Sequence, residues 1–175
     1  MINKFTLTNI YKKPKLGSAL SSQMIYGEKF KIIQKKNKWL KIQTHYDKYI
    51  GYIKNKKHLK DSAQEFKISS LKSNIFTKKN NKFKETKKFL YFASRLTRVN
   101  ENKQFLEFEK NKWIKKNDLK KISYFEKNYC KIFKLFLDSK YLWGGKTAKG
   151  IDCSSLIQIY FYYNKIFFPR DTKDQ

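Results

Sequence analysis

The sequence predicts an α+β protein in which two small all-β units are followed by a mainly helical segment. Two observations carry that expectation. Before about residue 121 the chain reads as short strands with a weak internal repeat, and from Ser123 the apolar period lengthens to that of a helix. Aromatics at 17% and hydrophobic residues at 40% are enough to build cores despite the charge, so the chain is not a disordered one.

In order along the chain, Met24–Glu28 leads into Phe30–Ile33, then Trp39–Ile42, then Tyr49–Ile53, ending near Leu59. Large apolar and polar residues alternate in 39–43 as in a half-buried strand, and Lys35-Lys36-Asn37-Lys38 suits a turn. His45, in Thr44-His45-Tyr46-Asp47, falls in a hairpin turn, where histidine is usually solvated and inert. A second copy follows: Trp39-Leu40-Lys41-Ile42 corresponds to Phe105-Leu106-Glu107-Phe108, and Gly51 up to Leu59 corresponds to Lys112 up to Leu119. The offset falls from 66 to 61, which implies a hairpin five residues shorter in the second copy. The domain boundaries expected are 1–60, 61–121 and 122–175. Trp39, Tyr52 and Trp113 are expected in cores rather than stacked on a ligand, because large aromatics at strand positions usually bury.

Phe125, Tyr129, Ile132 and Phe136 then follow i, i+4, i+7, i+11 spacing, which predicts a helix ending near Asp138-Ser139. After a glycine-rich turn, Asp152 stands where an N-cap belongs, ahead of Cys153 and the run Leu156, Ile157, Ile159, Tyr160 and Tyr163. A thiol in a helix's first turn feels the positive end of the dipole, which favours thiolate over thiol. Cys153 is therefore the candidate nucleophile; the alternative is a buried structural thiol, the commoner fate of a lone cysteine.

Three elements here resemble the NlpC/p60 family of bacterial cell-wall cysteine peptidases: Tyr141-x-Trp143-Gly144-Gly145, Gly150-x-Asp152-Cys153-Ser154, and Pro169-Arg170-Asp171. Ser155 stands where the family most often has glycine, a mild departure. The upstream units look like bacterial SH3 domains, well for 20–60 and loosely for 61–121. The fold implied is two small SH3-like β-barrels followed by the N-terminal helical half of a papain-like α+β domain. The resemblance also implies hydrolysis of L-Ala-γ-D-Glu-diamino acid muropeptides at the D-γ-glutamyl bond. It assigns Cys153 as nucleophile and the Tyr141 hydroxyl to the oxyanion, and places Asp152 and Ser154, with Glu28 and Tyr49 of the first barrel, around the substrate's ammonium group. Arg170 is expected to pin the loop after the helix rather than touch substrate. No cofactor or metal is implied.

A cysteine nucleophile needs a base, usually histidine. The only two histidines, His45 and His58, lie far upstream of Cys153, whereas the family's histidine lies downstream, on a sheet that would also cover the apolar faces of both helices. The expectation is a peptidase truncated before its histidine. Its rival is a non-catalytic protein whose barrels bind wall peptide or a polyanion. The 41 Lys+Arg against 14 Asp+Glu, a formal charge of +27, ordinarily suggest a polyanionic partner. Because the lysines are scattered, and Asn, Ile, Phe and Tyr are also enriched at the expense of Gly, Pro and Ala, A+T-rich codon usage explains the charge better than dedicated nucleic-acid binding. A disulfide between Cys130 and Cys153 would consume the nucleophile, so both are expected reduced. The first ten residues lack the apolar core of a signal peptide and no run is long enough to span a membrane, so the expected compartment is the cytoplasm. The sequence leaves oligomeric state open.

Overall fold

The computed structural model describes residues 1–175, a mostly β-sheet molecule with two short α-helices. Strands β1 (Leu7–Tyr11), β2 (Leu20–Ile25), β3 (Phe30–Lys36), β4 (Trp39–Thr44) and β5 (Ile50–Lys54) form an antiparallel sheet in the order β2-β1-β5-β4-β3. Leu40 and Ile42 of β4 point inward while Trp39, Lys41 and Gln43 are half-buried, the period of two that a one-sided sheet requires. They join Ile10, Met24, Phe30 and Ile53 in one core.

The second unit contains β6 (Phe66–Ile68), β7 (Lys72–Lys79), β8 (Lys82–Tyr91), β9 (Arg95–Leu96), β10 (Asn100–Glu101), β11 (Phe105–Glu109), β12 (Lys112–Lys115) and β13 (Leu119–Lys121). Its larger sheet runs β8-β7-β12-β11-β10, the same order as the first, and its smaller sheet runs β13-β6-β9. That smaller sheet has a counterpart in the first unit, where Ile2 bridges both Leu59 and Lys29. The hairpins also correspond: Trp39 pairs with Lys54 and Phe105 with Lys115, so the second is five residues shorter.

Three features differ from the expected elements. First, β2 stops at Ile25 instead of reaching Glu28, because Gly27 turns the chain at φ +85° against the second unit; a Cβ there would lie 2.1 Å from the Arg95 carbonyl oxygen. Second, β1 and the long β7–β8 hairpin were not among the strands read from the sequence. Lysines on the solvent face of β8 hide its alternation, and Asn80 and Asn81, at φ 48° and 58°, make the two-residue turn. Third, the first helix, α1 (Tyr129–Lys134), begins late, with Asn128 as N-cap accepting from the Lys131 N–H, and ends at Lys134 rather than near Asp138-Ser139, the chain continuing in turns. Phe125 lies outside it and is exposed, since the chain at Glu126 is tied on both sides to the Asn164 side amide. Ile132 and Phe136 do bury.

A two-stranded ribbon, β14 (Lys146–Thr147) and β15 (Gly150–Ile151), leads into helix α2 (Cys153–Tyr163). The largest core cluster draws on every part of the chain: Ile25 from β2, Tyr91 from the end of β8 and Phe92 just after it, Ile132 from α1 and Phe136 just after it, and Ile159 and Tyr162 from α2. The three parts therefore share a core instead of hanging on linkers. No helix is long and apolar enough to cross a membrane.

His58 is almost fully buried at the edge of the first core, edge-on to Phe5 and Phe30 at ring distances of 5.3 and 4.9 Å. Burial, reinforced by Lys4, the N-terminus and Lys56, pushes its pKa down to about 4. The unfolded chain binds this proton near pH 6.5 and the folded chain only near 4, so stability falls as pH drops through that window and levels off below it. In urea titrations, His58→Leu should lose less stability than wild type between pH 7 and 4, by about 2 kcal/mol after allowance for screening. Parallel pH profiles would show that His58 is not the group responsible.

Candidate active site

The turn before α2 is shaped by its glycines. Gly144 sits at φ +74°, and a Cβ there would meet the Leu20 side chain at 2.9 Å and the β2 backbone at 3.1 Å. Only glycine lets this loop lie so close to the first unit. Beyond it, the Lys146 N–H donates to Gln23 Oε1 at 2.9 Å, and the buried Lys146 ammonium pairs with both Glu28 oxygens at 3.1 and 3.2 Å. Tyr141 bridges Ile151 in parallel, which brings its side chain and that of Trp143 out beside the start of α2.

Asp152 organises that start. Its Oδ1 accepts from the Ser155 N–H at 2.8 Å and the Ser154 hydroxyl at 3.1 Å; its Oδ2 accepts from the Gly144 N–H at 2.9 Å and Arg170 Nη2 at 2.7 Å. Four donors fill a carboxylate's four lone-pair sites. Burial pushes the Asp152 pKa up, but the Arg170 hydrogen bond and charge, with the two backbone donors, outweigh it and hold the carboxyl below its usual range. Arg170 is itself spent: Nη1 donates to Ser154 Oγ at 2.7 Å and Nε to Ser22 Oγ of β2 at 3.0 Å. As expected of a pinning residue, it is buried.

Cys153 is the first residue of α2 and is exposed, which removes the alternative of a buried structural thiol; Cys130 is likewise free and exposed. The sulfur opens into a cleft of about 670 Å³ walled on one side by Tyr141 and Trp143 and on the other by Ser21 and Tyr49 of the first unit. Tyr49 is half-buried, with its hydroxyl 3.4 Å from the Ser21 carbonyl oxygen; burial and then the nearby Asp171 raise its pKa. Asp171 also lines the cleft, and its carboxylate takes part in no ion pair of 4.0 Å or less.

Of the residues singled out from the sequence, Cys153, Tyr141, Asp152, Ser154 and Tyr49 converge on this cleft. Glu28 does not. It lies 3% exposed in the interior, held by Lys146 and by the Ile25 N–H, which donates to it at 3.0 Å. Burial raises its pKa despite those partners. Its expected place around the substrate's ammonium group is corrected: the turn at Gly27 directs it inward, away from the cleft. Neither histidine lines the cleft.

The far end of α2 carries contacts that sequence reasoning missed. Arg95 Nη2 donates to the Tyr162 carbonyl at 2.8 Å, and Lys67 Nζ to the Tyr163 carbonyl at 2.6 Å. On the flank, Gln158 Nε2 donates to Asp47 Oδ2 at 3.1 Å, and Tyr46 stacks edge-on against Tyr162 at 4.9 Å. Asp47 and Tyr46 sit in the longer first hairpin. Nothing local marks these lysines and arginines among 41 such residues, because their partners are remote in sequence.

Comparison with known proteins bears on this site. Residues 138–175 match the NlpC/P60 family, and residues 10–57 match the bacterial dipeptidyl-peptidase SH3 domain. The chain is 24% identical over 200 residues to Dipeptidyl-peptidase 6 of Lysinibacillus sphaericus, an alignment covering 95% of this chain and 70% of that protein. Its fold is similar to the crystal structure of an NlpC/P60 family protein from Bacillus cereus ATCC 10987, with a TM-score of 0.83 at 16% identity, over 99% of this chain and 75% of that one. The resemblance read at the Trp-Gly-Gly and Asp-Cys-Ser segments is thus met by the match over 138–175, and that of the upstream strands to bacterial SH3 domains by the match over 10–57.

The buried Asp152–Arg170 pair sets an expected outcome. Arg170→Met should strand the carboxylate and cost about 3–5 kcal/mol in urea unfolding, and Asp152→Asn should strand the guanidinium at a similar cost. The double variant should recover part of the loss. Additive losses would show that the two groups are not coupled.

Proposed function

We propose that this chain provides the nucleophile and the peptide-binding cleft of a cysteine peptidase that cuts peptidoglycan-derived peptides between D-γ-glutamate and a diamino acid. The observation that carries this is the exposed Cys153 sulfur at the first position of α2, facing a cleft whose opposite wall is the first β-unit. A peptide laid in the cleft would touch both. The domain reading behind it is a first SH3-like unit over 1–60, a second over 61–121 with the same strand order, and the opening of a papain-like domain over 122–175.

In the reaction, the Cys153 thiolate attacks the γ-carbonyl carbon of the glutamyl residue, and its electrons move to the carbonyl oxygen. The first-turn N–H of Cys153 has no partner within the helix and is available to that oxyanion, together with the Tyr141 hydroxyl. Collapse expels the diamino acid's amine, which takes a proton from the base, and leaves a thioester. Water activated by the same base then releases the glutamyl acid and restores the thiol.

The substrate's free ammonium group fits the Tyr49 side of the cleft. The Asp152 carboxylate is already filled, so Asp152 and Ser154 shape this wall, and the Asp171 carboxylate supplies the charge.

The base comes from outside residues 1–175 in this reading. His58 is boxed between two phenylalanine rings, and His45 lies in the β4–β5 turn away from the cleft. On α2, the exposed Ile157 continues the face that carries Cys153, and Phe167, in the segment after the helix, is also exposed. An uncovered apolar face beside a nucleophile suits a further segment that packs there and carries a histidine. The non-catalytic binding reading lacks such support, since it gives no reason for an exposed thiol at a helix start.

The test compares the natural full-length protein with its Cys153→Ala variant on L-Ala-γ-D-Glu-diamino acid tripeptide. Release of the diamino acid should fall by at least about 10⁴-fold in the variant, the scale lost with a nucleophile. Equal release would remove Cys153 from the reaction.

A further inference from the structure

A second cleft of about 570 Å³ lies beside the first. The two share Leu20 as a common wall, and Leu142, which lines the second, stands between Tyr141 and Trp143, which line the first. The two clefts are therefore adjacent on the surface.

Its chemistry differs from that of the first. Lys54 at the end of β5, Lys56 just after it, and Lys149 in the β14–β15 turn reach it from two separate parts of the fold, and no acidic side chain lines it. None of the three lysines is in a salt bridge of 4.0 Å or less, and Lys56 Nζ lies 5.0 Å from the centre of the Phe5 ring, which lines the same cleft. The cleft is also lined by the neutral amides Asn9 and Gln23, held to each other by a 2.9 Å hydrogen bond. His58, another lining residue, is 7% exposed and has both ring nitrogens without a partner.

We infer that this lysine-lined cleft binds carboxylate groups on the leaving side of the substrate peptide, beyond the bond that Cys153 attacks. The inference rests on the proposed peptidase reading, because that reading supplies the anion. A diamino acid at a peptide's end carries a free carboxylate, and any residue after it ends in one. Unpaired lysines on flexible stems suit such a group better than a rigid fork does, since the diamino acid's own side chain varies in length and reach.

The test uses the Cys153→Ala full-length protein, so that peptide binds without being cut. Calorimetry would compare L-Ala-γ-D-Glu-diamino acid ending in a free carboxylate with the same peptide ending in an amide. The acid should bind about tenfold more tightly, the sum of a few partly screened ion pairs. The gap should close in Lys54→Gln/Lys56→Gln/Lys149→Gln, whose replaced side chains are all exposed, and should shrink at high salt. Equal affinity for the two peptides in the parent overturns the inference and leaves the peptidase reading standing. If neither peptide binds, the peptidase reading fails instead. Triglutamate then decides for the cleft: lysine-dependent binding sustains a carboxylate site, and no binding overturns it. Preference for an RNA oligonucleotide over triglutamate would also overturn it, in favour of a general polyanion surface.

Discussion

The hold on helix α2 at both of its ends is the constraint from which the site follows. At the N-terminus, Asp152 and Arg170 tie the first turn to Ser22 of the first sheet. At the C-terminus, where the regular helical bonding runs out and the dipole is negative, Arg95 and Lys67 of the second β-unit donate to the last two carbonyls. Arg95 does more than cap. Its backbone N–H donates to the Tyr26 carbonyl at 3.1 Å and its guanidinium lies 4.1 Å from the Tyr162 ring, so one residue joins both β-units and the helix. The sulfur at the first helical position is aimed only as well as the helix is held, and here two separate sheets hold it.

The first unit has a further part in this. Its longer β4–β5 hairpin places Tyr46 and Asp47 against Tyr162 and Gln158, while its β2 strand supplies the facing wall of the cleft through Ser21. The second unit, with its shorter hairpin, makes no such cleft and works from below through Arg95 and Lys67. A duplicated strand order has thus diverged into one copy that shapes the site and another that supports it. The buried Lys146–Glu28 pair belongs to the same joint. Two charges so deeply withdrawn from water gain little net stability, but they penalise any docking of the 142–151 loop that separates them.

How much of this the sequence disclosed depended on how local each signal was. The N-cap at Asp152, the glycine turn and the position of Cys153 are written in short-range chemistry, and the repeat offset foretold the hairpin difference correctly; the partner that makes Arg170 a pin, Ser22, lies 148 positions away. Glu28 misled because its place beside the ammonium group came from the resemblance alone; the left-handed Gly27, pressed on Arg95, turns the carboxylate inward to a lysine 118 positions away. Phe125 has the right spacing to begin a helix, yet Asn164 captures the backbone next to it. The β7–β8 hairpin was hidden by a lysine-rich exposed face. In each case a tertiary partner overrode a local pattern, and no window of neighbouring residues contains that partner.

The account stands most directly on whether α2 opens only together with the sheets that clamp it. Amide hydrogen exchange read by mass spectrometry would follow the helix between Leu156 and Tyr163 beside the core strands β4 and β11. The account predicts protection of α2 equal to that of the strands, and a selective loss of protection at α2 when Arg95 is replaced by methionine. Fast, independent exchange of α2 in the parent protein, or no local response to the Arg95 substitution, would contradict it.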